Sequence, residues 1–110
     1  MNITAHEEKD IQVFVLEGRI DTQGSVDLEK SLHLAVEAGN HKMILDMATV
    51  TYISSAALRI LADVLTKNRK ASGDLKLVGL NPKITRIFRI IGFDKYFSVF
   101  ETVADAIAAY

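Results

Sequence analysis

The sequence predicts an α/β fold, with a mixed, mostly parallel sheet of four to five strands and helices packed on it. Short runs of β-branched and aromatic residues alternate with longer segments in which apolar residues recur every three to four positions. The chain has 110 residues, of which 49% are hydrophobic. This length fits one compact domain and argues against two. Residues 1–110 are therefore expected to form a single domain.

The first half of the chain predicts a hairpin, a helix and a further strand. A short edge strand over residues 2–5 and a buried strand over 11–16 are joined by a polar turn. Ser25 is expected to cap a helix that ends at Gly39, which tolerates a positive φ. The apolar run 43–47 is the next strand. Because the helix between these two strands forms a crossover, the strands should be parallel, with a right-handed connection.

The second half repeats the alternation of helix and strand. An apolar stripe that starts at Ile53 and continues to Leu65 predicts an amphipathic helix, and residues 75–78 predict a strand. Asn81, which proline follows, is a strong helix start. A last strand is expected over 96–100, before a short terminal helix.

Candidate functional residues lie where two predicted strands end. Gly18-Arg-Ile-Asp21 follows the first long strand, and Ser54 and Ser55 follow the strand over 43–47. In open α/β sheets, ligand and partner sites form at the carboxyl ends of the strands. If the two strands are neighbours, Asp21 and Ser55 should lie on the same rim of the domain.

The serine pair has two interpretations that spacing alone leaves open. In the first, one serine only caps the helix and satisfies a free backbone N–H group. In the second, a serine accepts a phosphoryl group, which the positive end of the helix dipole would tolerate. A phosphate would add about −1.5 to −2 charge to this surface. For Asp21 the helix cap and the functional site are equally open interpretations.

Several motifs, in this order, carry a resemblance to a known family. They are Gly18-Arg-Ile-Asp21, Met43-Ile-Leu-Asp46, Tyr52-Ile-Ser-Ser-Ala-Ala-Leu-Arg59 and the late run Ile-Phe-Arg-Ile-Ile-Gly92-Phe. Together with the order and length of the elements over essentially the whole chain, they resemble the STAS domain of bacterial anti-sigma factor antagonists.

The resemblance implies a partner switch without enzymatic activity of its own. The unphosphorylated antagonist would bind an anti-sigma factor, which is a GHKL-type serine kinase, and so free a sigma factor. The kinase would phosphorylate the antagonist and break the complex, and a PP2C-type phosphatase would restore it. By motif position the phosphorylated residue is Ser55, with Ser54 as second candidate. The partner-binding residues implied are Asp21, Ser54, Ser55, Ala56 and Arg59.

Three positions depart from the family pattern and support an alternative. Ile53 stands where many antagonists carry aspartate, and Ala56 and Ala57 stand where many carry glycine. The alternative is a STAS scaffold or ligand-sensing module that is never phosphorylated and that regulates a process other than transcription.

Composition and missing motifs exclude other function classes. The net charge is −1, so no general basic field is available for nucleic acid, and the absence of cysteine rules out thiolate chemistry. His6, His33 and His41 lack metal-ligand spacing. A G-x-S-x-G nucleophile elbow and a Walker-type glycine loop are both missing. No cofactor, metal or membrane segment is expected, and we expect a cytoplasmic protein that is a monomer or weak dimer.

Two further groups of charged residues are assigned structural interpretations. Asp46 is expected to end its strand and to accept hydrogen bonds from nearby backbone amides. Lys83, Arg86 and Arg89 recur every three residues on the third helix. Such a run is usually a solvated face, although it could meet an acidic partner surface.

Overall fold

The computed structural model describes all 110 residues and confirms the α/β class, with one five-stranded mixed sheet. The strands lie side by side in chain order, and they are β1 (Asn2–Glu8), β2 (Ile11–Ile20), β3 (Lys42–Ile53), β4 (Asp74–Val78) and β5 (Val99–Phe100). β1 is antiparallel to β2, while β2 to β5 are parallel to one another. The predicted hairpin and the parallel crossover are both present.

The helices cover the two faces of the sheet unequally. They are α1 (Thr22–Glu37), α2 (Ser55–Lys70), α3 (Pro82–Ile91) and α4 (Val103–Ala108). One face packs against α1, α2 and α3 in a core of 20 buried residues that includes Phe14, Leu16, Leu61 and Phe88. The other face packs only against α4, in a cluster of five that includes Val13, Ile44 and Ala106. Three helices on one face place three helix N-termini at one edge of the sheet.

The two central strands run further than the apolar runs predict. β2 reaches Ile20 and β3 reaches Ile53, and these two residues are paired. The register shifts on both sides of Gly18, which has φ +91° and supplies a conformation that other residues rarely adopt. The placement of Ile53 on the helical stripe was therefore wrong. Ile53 is the last residue of β3, and its side chain is buried there. The register shifts allow the pairing of β2 with β3 to continue through polar residues.

Asp46 illustrates the same extension. Its carboxylate accepts a hydrogen bond from the backbone N–H of Ala48 at 3.1 Å, as expected. The expectation that it ends the strand was wrong, because β3 continues for seven residues beyond it. Asp46 lies at the first register shift, where its side chain satisfies a backbone group near the irregular pairing.

Helix caps were predicted correctly at Asn81 and wrongly at Ser25. Asn81 accepts from the N–H of Ile84 at 2.8 Å, directly before the proline that begins α3. α1 begins earlier than predicted, so Ser25 is buried inside its first turn and its hydroxyl donates to the carbonyl of Thr22 at 2.7 Å. The cap of α1 is Asp21 instead.

The strand predicted over 96–100 is much shorter in the structure. After Gly92, which has φ +81°, the chain forms a 3-10 turn at Phe93–Lys95, and pairing begins only at Val99. Phe93 and Phe97 pack against Phe88, with ring centroids 5.8 and 5.7 Å from it. Phe97 is buried and Phe93 is half-buried through these contacts with the α3 side of the core, so the apolar character of Phe97 did not indicate a strand.

Candidate functional site

The carboxyl ends of β2 and β3 are joined at the edge where the serine pair lies. Ile20 pairs with Ile53, and the backbone N–H of Ser54 donates to the carbonyl of Ile20 at 2.8 Å. Asp21 follows the first of these strand ends and Ser54 follows the second. The structure thus brings the Asp21 and Ser55 segments to one edge of the sheet, as the motif positions predicted.

The two serines divide the roles that the sequence left open. The Ser54 hydroxyl oxygen accepts from the N–H of Ala57 at 3.1 Å, so Ser54 is the N-cap of α2 and is partly buried. Ser55 is the first residue of the helix and is exposed, and its side chain makes no hydrogen bond within the chain. The Ser55 hydroxyl is therefore free to react or to bind.

Asp21 caps the neighbouring helix. Its Oδ1 atom accepts from the N–H of Gly24 at 2.9 Å, and the residue is exposed. A Cβ atom on Gly24 would lie 3.1 Å from the carbonyl oxygen of Arg19, so glycine suits this tight first turn. The cap interpretation of Asp21 is confirmed, and its exposure leaves the carboxylate able to meet a partner as well.

Arg59 lies one helical turn after Ser55 on the same side of α2. Residues four apart are neighbours on a helix surface, and Arg59 is exposed. It takes part in none of the ion pairs between Lys or Arg and Asp, nor in the one contact between a histidine and a glutamate. Ala56 is half-buried and Ala57 is buried. The surface around Ser55 therefore consists of a hydroxyl, a small apolar side chain and an unpaired cation.

The electrostatics of this edge favour negative charge. The first turns of α2 and α3 hold no acidic residue and their caps, Ser54 and Asn81, are uncharged, so the positive ends of these two helix dipoles are not offset. At the start of α1 the carboxylate of Asp21 supplies a negative charge. The guanidinium carbon of Arg19 lies 4.3 Å from the ring centroid of Tyr52, and both residues are exposed. Sequence reasoning assigned no role to this pair, because only the register of β2 and β3 shows that they are adjacent.

The sheet's opposite edge, at the amino ends of the parallel strands, holds a second hydroxyl that the sequence analysis missed. The Tyr110 Oη atom accepts from the N–H of Met43 at 2.9 Å and lies 2.9 Å from the carbonyl oxygen of Asp74. Burial raises the pKa of this phenol well above its usual value, so it stays protonated. The only signal in the sequence is an aromatic residue at the end of the terminal apolar helix.

The main groove of the domain does not border the serine pair. The largest groove, of about 750 Å³, lies between α4 and the β1–β2 turn and is lined by Ile11, Val103, Ile107 and Tyr110, among others. No three histidine or acidic side chains come together as a metal site. None of the helices combines the length and apolarity needed to cross a bilayer.

Comparison with known proteins connects this geometry to a family. The model of the STAS domain matches residues 2–106. BtrV of Bordetella bronchiseptica, a candidate anti-sigma factor antagonist, is 31% identical over 100% of this chain and 95% of its own length. The crystal structure of an anti-sigma factor antagonist from Mycobacterium paratuberculosis has a TM-score of 0.88 at 26% identity, covering 98% of this chain and 92% of its own. A Thermotoga maritima structure with TM-score 0.92 and 18% identity, covering 97% and 92% of the two chains, shares the fold.

Proposed function

The chain belongs to the STAS-domain family of anti-sigma factor antagonists, and we propose that phosphorylation of Ser55 switches its binding to an anti-sigma factor. In this proposal the unphosphorylated chain binds a GHKL-type serine kinase that also acts as the anti-sigma factor, and a sigma factor is released in the bacterial cytoplasm. Phosphorylation by that kinase ends the complex, and a PP2C-type phosphatase reverses it. The chain itself is a regulator without catalytic activity.

One observation carries the choice of Ser55. Ser54 caps α2, so the hydroxyl of Ser55 is not needed as a helix cap, and the residue is exposed to solvent. A kinase must reach the acceptor oxygen and must not unfold the helix by modifying it. Ser55 meets both conditions, whereas a phosphate on Ser54 would act on the capping oxygen itself. Ser55 is therefore the acceptor and Ser54 the second candidate.

The surroundings of Ser55 support a switch that changes the surface and leaves the fold intact. A phosphate at the first residue of α2 would lie at the positive end of the helix dipole, one turn from the unpaired Arg59. The partner surface in this proposal comprises Asp21, Ser54, Ser55, Ala56 and Arg59. A dianion on Ser55 adds negative charge at the neutral centre of this surface, formed by Ser54, Ser55 and Ala56, so binding to the partner is lost.

The test compares Ser55→Ala and Ser55→Asp chains as baits in lysate of the native cell. We expect the wild-type and Ser55→Ala chains to capture a kinase of the GHKL class. We expect the Ser55→Asp chain to bind this kinase at least about tenfold more weakly, because it carries part of the phosphate charge. With the purified kinase and ATP, mass spectrometry should find phosphate on Ser55 in the wild-type and Ser54→Ala chains and none in Ser55→Ala. Equal binding by Ser55→Ala and Ser55→Asp would contradict the switch.

A second function is favoured by the core residues that flank the serine pair. Ile53 is only 4% exposed and Ala57 is fully buried, so two of the three positions that differ from the family pattern pack into the domain. The alternative is a STAS scaffold or ligand-sensing module, regulating a process other than transcription, whose rim is never phosphorylated. Chain isolated from its own cells under varied stress decides between the two functions, since phosphate on Ser55 under any condition excludes the alternative.

A further inference from the structure

The charged residues of this chain are strongly segregated along the sequence. Residues 1–54 hold nine acidic and four basic side chains, and residues 55–110 hold nine basic and five acidic side chains. Because the strands lie side by side in chain order, the acidic part lies toward β1 and the basic part toward β5. A net charge of −1 therefore conceals two oppositely charged sides.

The basic side has its densest unpaired charge on α3. Lys83, Arg86 and Arg89 are all exposed, and α3 contains no acidic residue. The three Lys/Arg–Asp ion pairs of the chain leave all three residues without an acidic partner. Residues three apart share one side of a helix, so these cations form a continuous stripe. We call Lys83, Arg86 and Arg89 the α3 stripe.

An exposed apolar side chain borders this stripe. Ile90 follows Arg86 by four residues, so the two are neighbours on the helix surface, and its exposure is 75%. The core side of α3 is occupied by the buried Ile84 and Phe88. Ile90 thus contributes nothing to the core, and a purely solvated basic face would not require an isoleucine there.

The α3 stripe starts at the edge that holds Ser55. The side-chain amide of Asn81 donates to the carbonyl of Val50 at 3.0 Å, which anchors the start of α3 beside the last part of β3. Lys83 lies in the first turn, and a ten-residue helix extends about 15 Å. A partner seated on the Ser55 surface, covering the roughly 800 Å² per side of a standard interface, would reach onto this helix.

We propose that the α3 stripe is a second docking surface for the anti-sigma factor, receiving an acidic segment that places an apolar side chain on Ile90. This inference rests on the proposed function and adds the chemistry of the partner. The occupant follows from charge complementarity, since three unpaired cations around one apolar group fit carboxylates around an apolar residue. An anionic membrane fits less well, because the acidic β1 side of the same small domain would be repelled.

The test measures affinity of the captured and purified kinase for chains with reversed charges. Arg86→Glu/Arg89→Glu should bind about tenfold to a hundredfold more weakly at about 0.1 M salt, and the difference should shrink at about 0.5 M salt. Lys30→Glu/Lys42→Glu, which has the same net charge and exposed sites outside α3, should bind within about threefold of wild type. Ile90→Ser should weaken binding severalfold at both salt concentrations, because its contribution is apolar.

The outcomes separate this inference from the proposed function. If the wild-type chain binds no kinase, both the proposed function and the inference that rests on it are wrong. If Ser55→Asp loses binding while Arg86→Glu/Arg89→Glu binds like its matched control, only the inference is wrong. If the wild-type chain sediments with phosphatidylglycerol vesicles and Arg86→Glu/Arg89→Glu does not, the α3 stripe binds an anionic membrane, and the inference of an acidic protein segment is wrong. Circular dichroism and the milder Arg86→Gln/Arg89→Gln variant establish that the loss does not reflect misfolding.

Discussion

Two hydroxyl groups at opposite edges of the sheet have opposite environments. The Ser55 hydroxyl is exposed and has no hydrogen-bond partner in the chain. The Tyr110 hydroxyl contacts the backbone of Met43 and Asp74 and ties the end of α4 to two strands. A group whose hydrogen bonds are all made inside the chain serves stability, whereas a group without internal partners is available to another molecule.

The surroundings of the two hydroxyls extend the contrast. At the Tyr110 edge, the fully buried Asn68 donates to the carbonyl of Asp74 at 3.2 Å, and its oxygen lies 3.3 Å from a ring nitrogen of His41. The backbone N–H of Gly73 donates to Asn68 at 2.7 Å. At the Ser55 edge, cations such as Arg59 have no partner. We therefore expect substitutions at the first edge to change stability and substitutions at the second to change binding.

The largest effect on stability is expected from Gly73→Ala. A Cβ atom on Gly73 would lie 1.9 Å from the carbonyl oxygen of His41, a clash with backbone that no rotamer relieves. The variant should lose about 3 kcal/mol or more of unfolding free energy, measured by urea denaturation. Gly39→Ala is the control for glycine loss in the same layer of loops, since its added Cβ has open space, although its φ of +85° carries a strain of its own. Equal losses in both variants would contradict the steric explanation.

Tyr110→Phe tests the engaged hydroxyl directly. The variant keeps the ring and removes the acceptor of the Met43 N–H, so we expect a loss of about 2 kcal/mol in urea denaturation. Affinity for the anti-sigma factor should stay the same, because Tyr110 lies at the edge opposite Ser55. A variant of full stability and reduced affinity would reverse the proposed roles of the two edges.

Ser54→Ala tests whether the serine pair divides its roles as the structure indicates. Removing the N-cap oxygen should cost about 1 kcal/mol of unfolding free energy, and Ser55→Ala should cost a few tenths at most. Phosphate incorporation by the kinase should show the reverse order, with Ser54→Ala modified and Ser55→Ala unmodified. The same stability loss in both single variants would remove the distinction between cap and acceptor.

The smallest effect is a pH dependence at the Tyr110 edge. Burial raises the pKa of Asp74, but the hydrogen bonds from Lys76 and the Leu75 N–H, with the charges of Lys76 and Arg69, outweigh this effect and hold the pKa below its usual value. A lowered folded-state pKa stabilises the fold above the unfolded-state pKa, and this contribution disappears as the pH falls through the folded-state value.

Stability of wild type should therefore fall below about pH 4 more steeply than that of Asp74→Asn/Lys76→Met, which removes both members of the ion pair at 2.9 Å. The difference in slope should stay below about 1.4 kcal/mol per pH unit, the value that one proton sets. Urea denaturation at a series of pH values measures it, and parallel acid limbs would show that Asp74 is not the group responsible.

Much of the fold could be predicted because its signals are local. The cap at Asn81 depends on one side chain and the adjacent proline, and the apolar stripe of α2 depends on helical period, so neighbours in sequence suffice. The predicted cap at Ser25 was wrong because any serine near the start of a helix is a plausible cap, and the sequence pattern does not locate the first helical residue. The strand predicted over 96–100 was too long because the strand-like composition around Phe97 also suits packing against the ring of Phe88.

The amino-acid sequence by itself determined the alternation of strands and helices, the motif order of the family and the position of the serine pair at a helix start. Only the tertiary structure decided which serine is the cap, how far β2 and β3 continue, and that Arg19 and Tyr52 meet at their ends. These outcomes depend on the register between strands that are far apart in sequence, where one residue of shift exchanges the buried and exposed sides. A local sequence pattern does not determine this register, so the register is known only once the paired strands are seen in the tertiary structure.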